Sequence, residues 1–387
     1  MAGPRPAAHP LPRGCRAAPA APRAFAPAAA RQRAPRRQRC AAARAAAGGE
    51  VVLPNGLAIR HVSTPDEALF FWREHFGDRV YLKNGVALGA GGCVVDVGAN
   101  VGLFAMAAAE AVGASGRVIC FEPVPAAAAA CRENARRHAA WCAARGVGAA
   151  PVTVVEAAVG AAEGEAVFTV YERSSGWSSM APDGEETAAN MTAFVEARLE
   201  ALQRQSRDGG GSSSINGSGS SSSENGSGSS GSGEQAALTV EEPVGLVERL
   251  LLPLAAGLQQ QPWARGALRA LIRGYIRAVL MGTARSVRCR VTPLGAALRD
   301  LGFDGRISLL KIDVERAELE VLRGIGEADW PRIDQVALEA HDAGGALAEV
   351  RRTLAGPAGF GAVAVEQDPQ LAGTSLYNVY ATRRGAV

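Results

Sequence analysis

Between residues 93 and 171 the chain alternates short unbroken apolar runs with longer stretches of mixed, Ala-rich sequence. The runs at 93–97, 117–121, 152–156 and 165–171 are rich in Val, Ile and Phe, as buried strands require, and the stretches at 101–112 and 125–140 have helical length. The pattern resumes near the C-terminus with a helix over 293–301, a strand over 307–312, a helix over 315–324, a strand over 335–340, a helix over 345–355 and strands over 361–366 and 376–382. Strands separated by helices predict an α/β fold, an open and mostly parallel sheet with helices on both faces. The last two strands are joined by DPQLAGTS, too short for a crossover helix, and are therefore predicted antiparallel. Upstream, VVLPNGLAIR (51–60) reads as a hairpin turning at Asn55-Gly56. Thr64-Pro65-Asp66-Glu67 then supplies an N-cap, a first-turn proline and a capping-box acid to the aromatic segment FFWREHF.

Two stretches break the pattern. Residues 1–49 hold ten arginines and no Asp or Glu, and lack the continuous apolar run of a secretory signal, so they read as an organellar transit peptide. Without them 31 basic residues face 38 acidic ones, a balance of −7, which argues against nucleic-acid binding by the remainder. The usage of 39 arginines against two lysines suggests a GC-rich genome, and with it a chloroplast rather than a mitochondrial destination. Residues 208–233 are a Gly/Ser run that cannot bury enough apolar surface to order itself, expected to be a flexible part of an insertion spanning 172–290 within one domain of 50–383. The seven cysteines, at 15, 40, 93, 120, 131, 142 and 289, are scattered and form no C-x-x-C pair, so neither a disulfide framework nor a structural metal site is expected. Cys131, His138 and Cys142 lie close in sequence and read as positions on one helix.

In an open parallel sheet, ligands bind at the carboxyl ends of the strands where strand order reverses. The segment VVDVGANVGLF (94–104) falls there: Asp96 ends the first parallel strand, Gly98 takes the tight turn, and Gly102 lets the next helix approach with its N-terminal amides facing the site. In VICFEP, Glu122 ends the second strand, where a carboxylate can accept both hydroxyls of a ribose. Nicotinamide enzymes share a glycine turn and a downstream acid, but they use G-x-G-x-x-G to approach a pyrophosphate. Here the loop is D-V-G-A-N-V-G, which suits S-adenosylmethionine, a cofactor with no phosphate whose ammonium and carboxylate match Asp96 and the loop amides. Asp313 closes the apolar strand LLKID, where a carboxylate costs free energy unless paired or used. His341, at the end of a later strand in EAHD, is the histidine at the same edge of the sheet and a candidate general base, with Asp313 the other. Lys311 is expected to point away from the face that Asp313 shares with Leu309, and is left out of the site. Asp313, Glu339 and His341 would make an oxygen-rich metal site, but their spacing does not demand one.

VVDVGANVGLF, CFEPVP, VVEAAVG, LLKIDVERAELEVLRGI and QVALEAHD together resemble the successive landmarks of the FkbM-type methyltransferases. LPNGLAIRH, YLKNGVAL, GWSSM and VEQDPQLAGTSLYNVYA are similar to the members associated with polyketide and nonribosomal-peptide synthases. The resemblance implies a Rossmann-like class I methyltransferase sheet and S-adenosylmethionine as cofactor. It implies that Asp96, Gly98, Asn100 and Gly102 hold the aminoacyl end, Glu122 the ribose, and Glu156 and Ala157 the adenine, with Asp313 beside the transferring methyl or the acceptor. The common family form KIDVEGAE has Gly where this chain has Arg316.

Methyl transfer leaves the protein mainly the task of alignment, since the sulfonium is already activated. The expected acceptor is a hydroxyl of a small molecule, lipid, polyketide-like or glycan-like compound, with the insertion supplying specificity. Within the insertion, Arg265, Arg269, Arg273 and Arg277 recur on one side of a helix opposite Leu268, Leu271, Ile272, Tyr275, Ile276 and Val279. Such a helix reads first as a lid packed on the sheet with a solvated arginine face, and otherwise as a peripheral membrane or carrier-domain contact through 262–281. Two other functions compete with methyl transfer: a nucleotide-cofactor oxidoreductase, and an inactive cofactor-binding scaffold.

Overall fold

The computed structural model describes residues 48–208 and 262–383, so the leader and the Gly/Ser run lie outside the described residues. A hairpin opens the described chain, β1 (Glu50–Val52) against β2 (Ala58–Arg60), with Leu53 and Leu57 bonded across the Asn55-Gly56 turn. Helix α1 (Pro65–Trp72) starts where Thr64 accepts the Glu67 amide at 3.2 Å, and runs on as a π-helical turn, Arg73–Asp78. Then come β3 (Cys93–Val97), α2 (Leu103–Val112), β4 (Arg117–Phe121), α3 (Pro125–Ala143) and β5 (Val152–Val155). After β6 (Ala158–Val159) and β7 (Gly164–Tyr171), two helices, α4 (Gly184–Asp208) and α5 (Pro262–Tyr275), precede β8 (Ala284–Thr292). The chain ends with α6 (Leu294–Asp300), β9 (Leu309–Ile312), α7 (Glu318–Arg323), β10 (Gln335–His341), α8 (Ala346–Ala355), β11 (Ala362–Glu366) and β12 (Leu376–Thr382).

The main sheet has seven strands in the order β11-β12-β10-β9-β3-β4-β5. Strands β3, β4, β5, β9 and β10 are mutually parallel, and β12 runs antiparallel to both of its neighbours. The predicted mixed α/β sheet with antiparallel closing strands is therefore the observed one. Alternation along the strands sorts side chains onto two faces. Val95, Val97, Leu310 and Ile312 pack under α6, α7 and α8, and Val94, Val118 and Leu309 pack under α2 through Phe104, Ala105 and Ala108. Strand order reverses at the β3/β9 seam, since the chain leaves β3 toward β4 and β5 and returns on its other side.

Four expectations are corrected. Strand β7 does not join the main sheet. It pairs antiparallel with β8, and β6 runs parallel beside β8, in a separate three-stranded sheet. Strand β8, ARSVRCRVT, falls almost wholly within the stretch expected to be a helical insertion; its outward arginines disguise a two-residue alternation whose inward positions include Cys289 and Val291. The basic helix α5 packs on α4 and not on the sheet: Ile272 and Ile276 are buried among Ala188, Met191 and Leu199. Its arginine face is also less free than expected, because Arg273 and Arg277 both reach Glu185 and Arg269 lies 3.7 Å from Glu196. No helix among the described residues is long and apolar enough to cross a membrane.

One buried side chain ties the N-terminal hairpin to α3 and to the loop after β3. Asn134 on α3 accepts the Arg60 amide at 2.7 Å and donates to the carbonyls of Arg60 and Val101 at 2.8 and 2.9 Å. Asn134→Ala is expected to remove about 2–4 kcal/mol from unfolding free energy, several net hydrogen bonds and their desolvated partners, read as a lower urea midpoint. Limited proteolysis should then cut within residues 50–60, which the parent chain protects.

Candidate functional site

The loop after β3 is held in a conformation that its sequence permits almost residue by residue. Gly98, Asn100 and Gly102 all have positive φ, at 81°, 48° and 88°. The amides of Gly98 and Ala99 bond to the Phe121 carbonyl at 2.9 and 3.1 Å, which hangs the loop from the end of β4. A Cβ on Gly98 would lie 1.7 Å from the Asp313 carbonyl oxygen, and one on Gly102 would lie 2.7 Å from Cys131 Sγ. Glycine is therefore required for backbone contact with β9 at the first position and for contact with α3 at the second.

Glu122 is buried beneath this loop. Its Oε2 accepts the Asn100 amide and its Oε1 the Val124 amide, each at 2.8 Å. A carboxylate oxygen has two acceptor sites, so each keeps one for a ligand hydroxyl. Burial pushes its pKa up to about 7, against the opposing pull of the two amides. Asn100 also donates to Ser175 Oγ at 3.2 Å, and Ser175 donates to Glu67 at 2.8 Å. Glu67 in turn accepts the Gly176 amide at 3.1 Å, so the GWSSM segment is drawn over the loop by α1.

Asp96 is wholly buried and lies opposite Lys311 in the parallel register of β3 and β9. Lys311 Nζ is 3.0 Å from Asp96 Oδ1, 3.4 Å from Asp313 Oδ2, and donates to the Gly98 carbonyl at 3.0 Å. It sits 5.3 Å from the Tyr81 ring and 5.8 Å from that of Phe104. The expectation that Lys311 points away is thus wrong. Positions 309, 311 and 313 are two apart, so alternation puts all three on the same face. Burial alone would lower the Lys311 pKa, but Asp96 and Asp313 push it well above its usual range, while burial raises that of Asp96.

Asp313 also accepts from the Tyr81 hydroxyl at 3.0 Å and is the partly exposed member of the group. Around it stand Glu74, pushed up to about 8 by burial and then by Asp313, and Glu339, pushed well above the usual carboxylate range by burial and then by Asp313. Lys311, Tyr81, Glu74, Glu67 and Ser175 were not among the sequence-derived candidates. Parity alone would have found Lys311; the others reach the site through tertiary packing of the α1 region and the loop after β7.

His341 is at the expected edge but is not poised as a base. Its Nδ1 is 2.9 Å from Glu318 Oε1 and its Nε2 is 3.1 Å from Glu315 Oε2. Burial would lower its pKa, yet hydrogen bonds to these two carboxylates push it up to about 11, so the ring is a charged donor at neutral pH. Glu315, Glu339 and His341 place donor atoms within 4.8 Å of one another, with both ring nitrogens already facing carboxylates. Glu315 and Arg316 have consecutive positive φ values of 49° and 71°, the conformation for which the common family glycine is suited. Arg316 compensates by pairing with Glu186 of α4. Of the two residues expected along an adenine, Glu156 is half-exposed in an ion pair with Arg132 at 2.9 Å, and Ala157 is fully buried.

Comparison with known proteins decides the family. The sequence model described as the methyltransferase FkbM domain matches residues 218–360. The chain is 34% identical over 332 residues, 86% of its own length and 95% of the relative's, to 31-O-demethyl-FK506 methyltransferase FkbM of Streptomyces tacrolimicus. The chain belongs to the FkbM methyltransferase family. It is also 28% identical over 340 residues to AMB antimetabolite synthetase AmbE of Pseudomonas aeruginosa, covering 87% of this chain and 12% of that one. A crystal structure of methyltransferase FkbM from Methylobacillus flagellatus overlays with a TM-score of 0.36 at 12% identity, over 82% of this chain and 48% of the other. As an FkbM-family methyltransferase, the protein has its glycine loop and strand-end acids where an α/β sheet places ligand chemistry.

The loop geometry carries a stability prediction. Gly98→Ala combines positive-φ strain with overlap on a backbone oxygen and is expected to cost about 3 kcal/mol or more. Gly345→Ala, at φ 85° and ψ 16° with open space around the new Cβ, is expected to cost only about 1 kcal/mol. Equal losses in urea denaturation would contradict the close approach of the loop to Asp313.

Proposed function

We propose that this FkbM-family methyltransferase uses S-adenosylmethionine to methylate a hydroxyl oxygen of a small-molecule acceptor. The reading rests chiefly on Glu122, a buried strand-end carboxylate fixed by two amides with acceptor capacity left on both oxygens. That is the environment a ribose diol needs. The loop amides of Gly98, Ala99 and Asn100 are taken by Phe121 and Glu122, so the first amides of α2, at the positive end of its dipole, are the ones that suit the aminoacyl carboxylate. Asp96, engaged with Lys311, acts on the ammonium through the field it adds beneath the loop. When bound, the cofactor supplies a methyl group on a sulfonium, which the acceptor oxygen takes as the carbon–sulfur bond breaks. The proton released from the hydroxyl goes to Asp313, the partly exposed carboxylate of the cluster, oriented by Tyr81 and Lys311. His341, charged, positions Glu315 and Glu318 and takes no proton.

Acceptor choice falls to the insertion. Ser375, just before β12, donates to Glu186 at 2.8 Å, and its amide donates to Asn190 at 3.0 Å. Together with Arg316 these bonds fasten the first turns of α4 over the strand ends. The name of the Streptomyces relative, 31-O-demethyl-FK506 methyltransferase, gives an oxygen as that enzyme's methyl acceptor, which favours an oxygen acceptor here. Residues 50–383 are read as one methyltransferase domain carrying the insertion, and residues 1–49 as a plastid-import segment. Import of a fluorescent fusion of residues 1–49 into mitochondria would overturn the plastid assignment.

Calorimetric titration tests the cofactor. S-adenosylmethionine should bind with micromolar affinity, NADH should not, and Glu122→Ala should weaken binding at least about tenfold, the loss of one to two charge-assisted hydrogen bonds. NADH binding without S-adenosylmethionine binding would overturn the reading.

The raised pKa of Glu122 adds a pH dependence. The ionised form accepts hydroxyls, so affinity should climb by up to about tenfold per unit as pH rises toward about 7 and level off above it. In the ligand-free protein the sign is opposite. This group's contribution to stability is complete below its unfolded value of 4.5 and is lost as pH rises through about 7. A flat affinity between pH 6 and pH 8 would remove Glu122 from the ribose site.

A further inference from the structure

On the side of α2 and α3 away from the strand-end acids, three unlike donors converge. His138 and Cys142 are one helical turn apart on α3, and Glu110 is in the last turn of α2. His138 Nε2 lies 2.8 Å from Glu110 Oε1 and 3.4 Å from Cys142 Sγ, and the three donor atoms all fall within 4.8 Å of one another. The imidazole and the thiol are each 1% exposed, whereas Glu110 is 32% exposed, so the group is walled by protein and opens to water on the carboxylate side.

A single ring nitrogen serves these two neighbours poorly. If Nε2 carries the proton, it must share it between the carboxylate and the sulfur. If Nε2 is bare, it can accept from the thiol but turns a lone pair on the carboxylate. A cation at the common point satisfies all three at once. The helices also favour one there, since Glu110 and Cys142 both lie in C-terminal turns, the negative ends of helix dipoles, and neither helix has a basic residue in its last turn.

We propose that Glu110, His138 and Cys142 form a binding site for a divalent transition-metal ion of borderline softness, Zn2+ being the natural occupant. One carboxylate, one imidazole and one thiolate are a zinc-type donor set, with water completing a tetrahedron through the open side. Ligands about 2.0–2.3 Å from a tetrahedral Zn2+ stand about 3.3–3.6 Å apart, so the imidazole and sulfur are already spaced and the carboxylate must withdraw by about 0.5 Å. On binding, the thiol proton goes to solvent. Sequence spacing hides the site because its third ligand comes from another helix. Cys131, the other cysteine on the same helix, instead packs against Gly102. The ion would clamp α2 to α3, the two helices that follow the glycine loop and Glu122.

The test is Co2+ titration of the full-length chain after chelator treatment, followed by absorption. One equivalent should give a thiolate-to-cobalt charge-transfer band and tetrahedral visible bands, both abolished by Zn2+. Cys142→Ser and His138→Gln should remove the charge-transfer band or weaken Co2+ binding at least about tenfold, the loss that even outer-shell partners can cause. Cys289→Ser should leave both unchanged. Should Cys142→Ser fail to fold by circular dichroism, Glu110→Gln, on the exposed side, should keep the fold and still weaken binding. No charge-transfer band in the parent chain, a band that survives Cys142→Ser, or unaltered binding in folded Glu110→Gln would each overturn the site.

Discussion

The candidate site depends on one buried cation. Lys311 is 2% exposed and meets two strand-end carboxylates and a loop carbonyl at the seam where the order of the sheet reverses. Without it, Asp96 would be a buried negative charge, a cost of several kcal/mol, and the glycine loop would lose the donor that fixes its first turn. The pairing is set by register: Asp96 and Lys311 are neighbours in adjacent parallel strands, so the same ladder that builds the sheet brings the charges together. The aromatic faces of Tyr81 and Phe104 close over the ammonium and exclude water, which strengthens the attraction to both acids.

From this pair the remaining geometry follows outward. With Gly98 anchored to Lys311 and to the end of β4, the Asn100 amide is aimed at Glu122. With Asp313 held by Lys311 and Tyr81, the left-handed turn at Glu315-Arg316 is positioned to place carboxylates on both sides of His341. The insertion completes the arrangement through Glu186, which receives Arg316 and Ser375. Arg316 holds a left-handed conformation whose strain, of order 1 kcal/mol, is offset by its contact to the insertion. The insertion and the strand ends are therefore mechanically linked in this chain.

Much of this was legible in the sequence for physical reasons that can be named. The strands 93–97, 117–121 and 376–382 are unbroken apolar or alternating runs, and they are found at those positions because nothing else would bury such runs. The glycine loop was legible because glycine alone meets both the φ values and the close contacts at positions 98 and 102. Strand β8 was not, since alternate arginines hide its period from a search for apolar runs. The role of His341 was not legible either: its position is a strand end, but its charge comes from Glu315 and Glu318, brought round it by a turn whose left-handed residues are not glycines. Lys311 was readable from parity alone. Glu110 with His138 and Cys142 needed the packing of two helices, which no spacing along one chain segment conveys.

A double-mutant cycle on Lys311 and Asp96, read by urea unfolding, tests the central claim most directly. Lys311→Met alone should cost about 3–5 kcal/mol by stranding buried carboxylates, and adding Asp96→Asn should recover at least about 2 kcal/mol of that loss. Additive effects, with a coupling below about 0.5 kcal/mol, would mean that the two charges do not support each other and that the loop is held by something else.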